Sequence, residues 1–156
     1  MRQVLIAITL VLTVMSPALA QTTVPPDFAG TWVLNLAKSA PEKDTTTKSE
    51  TLVIDHMKFA IVFHYTTDGK KTTESYTPDG KKRVTQNMSS GQLSSTASWH
   101  DSVLMIASTL DIKVPNATVV VIGLKPVIDT RTISADGRTL IHEYADPKEI
   151  FVYDKQ

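Results

Sequence analysis

Four histidines are the side chains in this sequence best suited to hold a metal ion: His56, His64, His100 and His142. They lie in four separate segments and show no H-x-H, H-x-x-x-H or H-E-x-x-H spacing, the patterns typical of metal sites. Lone histidines on strands are usually surface groups or hydrogen-bonded polar residues. We therefore predict no metal site and no cofactor, while a zinc site of three histidines from distant strands stays open as an alternative.

Carboxylates are the next candidates for chemistry, and Asp55, Glu74, Asp129 and Glu143 offer possible glycosidase-like pairs. Any β-protein with sixteen acidic residues contains such pairs, and solvated strand faces explain them better. The chain has no cysteine for a thiol nucleophile and no G-x-S-x-G motif for a serine nucleophile. We predict no catalytic residues and favour a protein that is not an enzyme.

Arg131 is the charged residue that stands out, because it shares one face of a strand-like run with Val127 and Ile133. If that face points inward, the guanidinium enters the core and needs a partner. The candidate partners are an internal acid, an aromatic ring or a bound carboxylate: Glu143, Asp129, the face of Trp32, or a fatty-acid-like ligand. We favour pairing within the protein, and we also predict Arg131 as a ligand-binding residue.

The elements that must position these residues are β-strands, because apolar and polar residues alternate at period two. Trp32 and Leu34 alternate with Thr31 and Val33, and the same pattern runs through residues 59–65. Further strands are predicted at residues 51–55, 71–77, 82–87, 92–99, 102–110, 117–124, 127–134, 138–145 and 149–154. No window shows a convincing helical stripe, so the fold class is all-β.

Tight turns connect most of the predicted strands. Asp68-Gly69, Asp79-Gly80 and Asp136-Gly137 supply the positive φ angles that hairpins require, and Ser90-Gly91 and His100-Asp101 mark two more. Strands joined in this way are neighbours in space. We therefore predict an antiparallel up-and-down meander of about 8 to 10 strands that closes into a β-barrel, because closure removes exposed edges.

The predicted interior contains large apolar groups at strand spacing, including Phe59, Ile61, Phe63 and Tyr65. Trp32 is predicted to be structural, with Leu34 and Leu36 extending its face, and Gly30 fits a strand entry where backbones pass closely. Residues 92–99 are rich in small hydroxyl side chains and end in an aromatic residue. If those small groups point inward, they leave a cavity; if they face solvent, the interior is filled. For the cavity case we predict these ligand-binding residues: Arg131, Phe63, Tyr65 and Trp99.

The first twenty residues form a predicted signal peptide. Arg2 supplies the positive start, residues 4–15 an apolar core, and Ala18-Leu19-Ala20 the cleavage site. The apolar run is shorter than the roughly 20 residues that cross a bilayer. We expect the mature domain to span residues 21–156, periplasmic or secreted, with no integral membrane segment after cleavage and no lipoprotein cysteine.

Composition excludes several function classes. The 156 residues are 42% hydrophobic and carry a formal net charge of zero, which argues against nucleic-acid binding. The absence of cysteine excludes a disulfide framework and iron–sulfur or cysteine-bound zinc sites. Nothing in the sequence indicates the oligomeric state.

Both ends of the chain resemble a known group of proteins. The segment 28–39 contains a GTWxLNxxKS motif, and it is accompanied by the hairpin 131–140 and the closing strand 150–156. Together they are similar to small exported bacterial lipocalin-like proteins. The resemblance implies a barrel in which Gly30-x-Trp32 places a tryptophan at the closed end. It also implies that the partner is a small apolar or amphipathic molecule; a barrel enzyme and a ligand-free envelope interaction protein remain the alternatives.

Overall fold

The protein is described from a computed structural model that covers residues 24–42, 46–89, 91–113, 121–123 and 125–156. The predicted signal peptide, the turn residue Ser90 and most of the strand predicted at 117–124 lie outside these residues. The strands are β1 (Gly30–Leu34), β2 (Glu50–Met57), β3 (Ala60–Thr67), β4 (Lys70–Tyr76), β5 (Arg83–Met88), β6 (Gly91–His100), β7 (Val103–Lys113), β8 (Val121–Gly123), β9 (Val127–Ile133), β10 (Thr139–Ala145) and β11 (Lys148–Lys155).

All of these strands belong to one antiparallel sheet of 11 strands. Its order is β4-β3-β2-β1-β11-β10-β9-β7-β6-β5, with β8 paired to β7. Strands that follow one another along the chain are mostly neighbours in the sheet, and β1 joins β11 to bring the two ends of the chain together. The predicted all-β up-and-down barrel is therefore confirmed.

β8 and β9 act as two parts of one interrupted strand. Both pair with β7: Gly123 lies opposite Asp111, and Val127 lies opposite Ser108. Pro126 lies between the two parts and has no backbone N–H to donate to the ladder. The barrel wall therefore has ten strand positions, one of which β8 and β9 share.

The barrel wall stays open at one place, the seam between β4 and β5. Among the described residues no ladder pairs these two strands, although they follow one another in the chain. The Asp79-Gly80 turn between them is held elsewhere: the Gly80 amide donates to the Ala97 carbonyl at 2.8 Å, and Arg83 binds Asp79 through two contacts of 2.6 and 2.7 Å. The expectation that Asp79-Gly80 closes a hairpin and that closure removes every edge is wrong, because these contacts draw the turn toward β6.

Three of the other predicted turns, Asp68-Gly69, His100-Asp101 and Asp136-Gly137, have the expected backbone geometry. Asp68 and Gly69 adopt φ angles of 48° and 83°, and Asp101 and Gly137 adopt 53° and 70°. Such left-handed conformations match the twist of paired strands. These hairpins set the register that decides which side chains point inward.

One half of the barrel, here called the filled half, contains the apolar core. Trp32 is fully buried, and its Nε1 donates to the Phe28 carbonyl at 3.1 Å. Gly30 begins β1 with a φ of 136°, and a Cβ added there would lie 2.9 Å from Lys155 Cε. Lys155 Nζ lies 5.0 Å from the centre of the Trp32 ring. The remaining core residues include Leu52, Ile54, Ile61, Phe63, Leu104, Ile106 and Leu140.

Three predicted interior positions are exposed instead. Phe59 is 70% exposed because it lies in the β2–β3 turn, before the alternation of β3 begins. Leu36 lies in the turn after β1, and Val127 is the first residue of β9; both are exposed. Periodicity does not indicate where a strand leaves the barrel. Within the part of the chain that the structure describes, no helix has the length and hydrophobicity needed to cross a bilayer.

Candidate functional site

The half of the barrel opposite the apolar core, here called the cavity half, encloses a cavity of about 390 Å³. It is bounded by inward side chains of β1 to β4, β10 and β11, and by Thr47 from the segment before β2. Its lining residues are Leu34, Thr47, Glu50, Tyr65, Thr67, Thr72, Glu74, His142, Tyr144, Glu149, Phe151 and Tyr153. We refer to it as the main cavity.

A second space, the seam cavity, has a volume of about 740 Å³ and follows the open edge between β4 and β5. It exists because these edges are unpaired, and its walls include Tyr76, Val84 and Leu93. It shares Thr72 and Glu74 with the main cavity, so the two spaces adjoin across β4. The barrel is therefore filled in one half and hollow in the other.

Arg131 lies at the boundary between the two halves and is only 2% exposed. Its guanidinium carbon lies 3.9 Å from the centre of the Phe63 ring, a stacking cation–π contact. Its Nη2 donates to Glu74 at 3.3 Å and to Asp129 at 3.4 Å. The Nε and Nη1 atoms are buried and have no hydrogen-bond partner among the described residues.

This arrangement settles the partners of Arg131. Asp129 is one of the two acids expected, whereas Glu143 faces outward, with Lys148 Nζ at 3.5 Å. The ring that covers Arg131 belongs to Phe63 and not to Trp32. Glu74 is a partner that sequence analysis assigned to a solvated face; its position two residues before Tyr76 on β4 would have placed both residues on the same face.

Asp129 and His142 complete the buried polar group around Arg131. Burial by itself raises the pKa of Asp129, but the positive charge of Arg131 and the neighbouring His142 outweigh it and lower that pKa. Burial lowers the pKa of His142, and the charge of Arg131 lowers it further. His142 Nε2 lies 3.5 Å from Asp129 Oδ2 without forming a hydrogen bond. His142 is therefore neutral at pH 7.

Tyrosine hydroxyls bind the glutamates of the main cavity. Tyr153 donates to Glu50 at 2.7 Å, and Thr67 also donates to Glu50. Tyr65 and Tyr76 donate to Glu74 at 3.4 and 3.2 Å. Burial raises the pKa of Tyr65 well above its ordinary value, as it does for Tyr76 and Tyr153. These phenols stay protonated and act as hydrogen-bond donors to the carboxylates.

Three of the four predicted ligand-binding residues lie together. Phe63 and Tyr65 follow one another on the inner face of β3, with ring centres 6.4 Å apart, and Arg131 covers Phe63. Tyr65 also lines the main cavity. Trp99 lies apart from them, packed on Phe28 at 5.6 Å and on His56 at 6.1 Å.

Two small residues of β6 are buried, but neither of them lines the main cavity or the seam cavity. Ser94 and Ser95 are 2% and 3% exposed, and Ser95 Oγ lies 2.8 Å from Ser108 Oγ. These two positions do not face solvent. The sequence left a hollow and a filled barrel equally open, and the protein combines both.

The four histidines do not converge. His56 Nδ1 accepts from the Phe28 amide, His64 pairs with Asp55 on the outer surface, and His100 contacts Ser98. His142 alone lies inside the barrel. Among the described residues no group of three or more histidine, aspartate or glutamate side chains is arranged to hold a metal ion.

Comparison with known proteins extends the description of the fold. No family model matches the sequence. No curated protein matches it either. Solved structures do: the wild-type fluorescent protein UnaG aligns over 83% of this chain and 97% of its own, with 15% identity and a TM-score of 0.56. Fatty-acid-binding protein 1 of Echinococcus granulosus covers 82% and 96%, with 16% identity and a TM-score of 0.56.

A third similar structure is the fatty acid binding protein of Schistosoma mansoni in complex with arachidonic acid. It aligns over 83% of this chain and 96% of its own, at 13% identity and a TM-score of 0.53. At such low identities the likeness concerns the fold alone. The chain therefore has a lipocalin-like barrel of the kind found in fatty-acid-binding proteins.

Proposed function

We propose that this protein is an exported lipocalin-like barrel that binds one small amphipathic molecule, with the apolar tail of the molecule inside the cavity half. The observation that carries the proposal is the pair of adjoining cavities, about 390 and 740 Å³. Small-molecule sites typically measure roughly 300 to 1,000 Å³. Most of the apolar core lies in the filled half, and its edge, Tyr65 and Tyr153, borders the main cavity.

The walls suit an amphipathic ligand. Leu34 and Phe151 line the main cavity, and Val84 and Leu93 line the seam cavity, so apolar surface is present in both. A tail placed against these walls gains roughly 0.8 kcal/mol for each buried methylene. The polar groups around Glu50 and Glu74 would orient the other end of the molecule.

The position of each predicted ligand-binding residue indicates the role that it would have in binding. Tyr65 lines the main cavity, whereas Phe63 lies next to it on the inner face of β3 and Arg131 stacks on Phe63, outside the lining. In this proposal Tyr65 contacts the ligand, and Phe63 and Arg131 support it. Trp99 has no such position, because it packs on Phe28 in the filled half.

The comparisons support a ligand-binding role by analogy. One similar structure is named as a complex with arachidonic acid, and another is named as a fatty acid transporter. Fold alone does not fix function. The residues that line the cavities of this chain support a ligand-binding role independently of the similar structures.

A binding series of linear alcohols tests the proposal. Neutral alcohols of increasing length should bind with a stoichiometry near one, and affinity should rise with each methylene until the cavity is full. Thr67→Trp should abolish binding because Thr67 lines the main cavity. Thr66→Trp is the matched control, since Thr66 occupies the opposite face of the same strand.

Two outcomes would count against binding. Absence of saturable binding for every alcohol would overturn the proposal and favour a ligand-free envelope interaction protein. Equal loss in the Thr66→Trp and Thr67→Trp variants would place binding outside the cavity. Native mass spectrometry of protein purified without detergent would reveal an endogenous ligand directly.

The export component has a separate test. It rests on Ala18-Leu19-Ala20 after the apolar run, and it agrees with the resemblance of the N-terminal motif to exported bacterial proteins. The mature protein should begin at Gln21, and intact mass of the exported protein measures this. Retention of residues 1–20 in a membrane fraction would contradict it.

A further inference from the structure

The lining of the main cavity carries charge of only one sign. Glu50, Glu74 and Glu149 contribute carboxylates to the wall. Among the described lining residues there is no lysine and no arginine. A carboxylate ligand placed there would meet like charges in a partly enclosed space, which raises its energy.

Arg131 does not reverse this balance. Its single positive charge lies beside two carboxylates, Glu74 and Asp129, at 3.3 and 3.4 Å. Phe63 covers one face of the guanidinium. The side chain is 2% exposed and does not line the cavity, so its positive charge is paired with acidic residues of the protein.

His142 adds a polar side chain to the lining of the main cavity. It is 5% exposed, and its buried Nε2 lies 3.5 Å from Asp129 Oδ2. Because burial and Arg131 lower its pKa, His142 adds no positive charge at pH 7.

Aromatic rings complete the lining. Tyr144 and Phe151 meet edge to face with ring centres 6.2 Å apart, and the Tyr144 ring centre lies 4.5 Å from that of His142. Tyr65 and Tyr153 line the same wall. Aromatic faces attract cations, and carboxylates accept charge-assisted hydrogen bonds from ammonium groups.

From this combination we infer that the ligand carries a cationic head group, such as a primary alkylammonium, which lies among Glu50, Glu74 and Tyr144 while its apolar tail fills the remaining cavity. The inference rests on the proposed binding function and specifies the class of ligand. It separates this barrel from one built to take up fatty-acid carboxylates, because the acids outnumber the single buried arginine.

Three ligands with the same ten-carbon tail test the inference: decylamine, decanol and decanoate, each measured below its aggregation concentration at pH 7. Decylamine should bind about tenfold more tightly than decanol, because it adds a charge-assisted contact, and decanoate should bind most weakly. Added salt should narrow the difference between amine and alcohol.

Single-residue variants locate the effect. Glu74→Gln should lower the amine-to-alcohol affinity ratio several-fold and raise decanoate binding, because it removes one of the acids that balance Arg131. Glu50→Gln is a second variant that leaves Arg131 untouched. Glu143→Gln is the matched control: it removes the same charge from the outer face of β10, where Glu143 contacts Lys148, and should leave the ratio unchanged.

The outcomes separate the two proposals. If decanol binds but decylamine binds no more tightly, or if decanoate binds best, the cationic-ligand inference is overturned and the binding function stands. If none of the three ligands binds, both fall. An amine preference that neither Glu50→Gln nor Glu74→Gln reduces would also overturn the inference, because the preference would then arise elsewhere.

Discussion

The filled half and the cavity half of this barrel share several strands, yet they follow different packing rules. In the filled half Trp32, Leu52 and Leu104 are fully buried in an apolar cluster. In the cavity half, the same alternation on β3 and β4 brings Tyr65 and Glu74 inward. Most of the apolar cluster lies in the filled half, whereas the cavity half contains polar groups that packing alone would not favour.

The boundary between the two halves contains buried polar groups that are expected to lower the stability of the fold. Arg131, Asp129 and His142 are buried there, and several of their polar atoms have no hydrogen-bond partner among the described residues. Buried groups of this kind lower stability unless they are paired. Ionisable groups whose pKa values are shifted by burial and by a charged partner are common at functional sites.

The largest expected effect lies in the filled half. Trp32→Ala should lower the free energy of unfolding by about 3 to 5 kcal/mol, the usual cost of deleting a large buried aromatic side chain. Denaturant titration measures the change. A loss below about 0.5 kcal/mol would show that Trp32 does not support the core.

The boundary should be nearly as sensitive. Arg131→Ala should lower the free energy of unfolding by about 3 kcal/mol, because it leaves Asp129 buried without its positive partner. A double variant, Arg131→Met with Asp129→Leu, should recover most of the loss, because it removes both charges. If the double variant is as unstable as Arg131→Ala, the loss comes from packing on Phe63 and not from the charge pair.

A pH titration tests His142 at the same boundary. Its pKa is lowered from 6.5, so below about pH 6.5 the unfolded chain binds a proton that the folded protein does not. The free energy of unfolding should therefore fall as the pH drops below 6.5, by at most about 1.4 kcal/mol per pH unit. His142→Gln should flatten this slope.

Asp129 gives the same experiment an internal check. Its pKa is lowered from 3.8, so its contribution is present above that value and is lost only as the pH falls through the folded-state pKa. A second decline below about pH 3.8 should thus remain in His142→Gln. A slope between pH 6.5 and 4.5 that is unchanged in the variant would assign it to other groups.

The smallest effect is expected outside both halves. Phe59→Ala should change the free energy of unfolding by less than about 0.5 kcal/mol, because the Phe59 side chain is exposed in the β2–β3 turn. Phe63→Ala is the matched comparison, because Phe63 lies four residues further along the chain and is fully buried. This substitution should lower the free energy of unfolding by several kcal/mol. Similar losses in both variants would mean that Phe59 packs in solution.

The strands and most turns could be predicted because both depend on short-range chemistry. Alternation marks which residues share a face, and Asp68-Gly69 and Asp136-Gly137 adopt the positive φ angles that their residue types favour. The same reasoning misjudged Asp79-Gly80, since the Gly80 amide donates to the Ala97 carbonyl of β6. Local sequence carries no signal for a partner on another strand.

The candidate site was only partly predictable for a related reason. Arg131 with Phe63 and Tyr65 could be proposed as inward-facing, but Glu74 was assigned to a solvated face. Trp99 was grouped with them, although it belongs to the filled half. Period-two alternation indicates which face of a strand a side chain occupies. The position of that side chain along the barrel axis depends on the register between strands that are distant in sequence.

The sequence by itself determined the all-β class, the meander and the residues that alternate toward one face, because these depend on neighbours two to four residues apart. Only the tertiary structure decided that β4 and β5 stay unpaired, that the apolar core occupies one half, and that Glu74 meets Arg131 across 57 positions of chain. Closure of a barrel fixes the tilt and the stagger of all its strands together. Which inward side chains come into contact therefore depends on the whole sheet and not on any one strand.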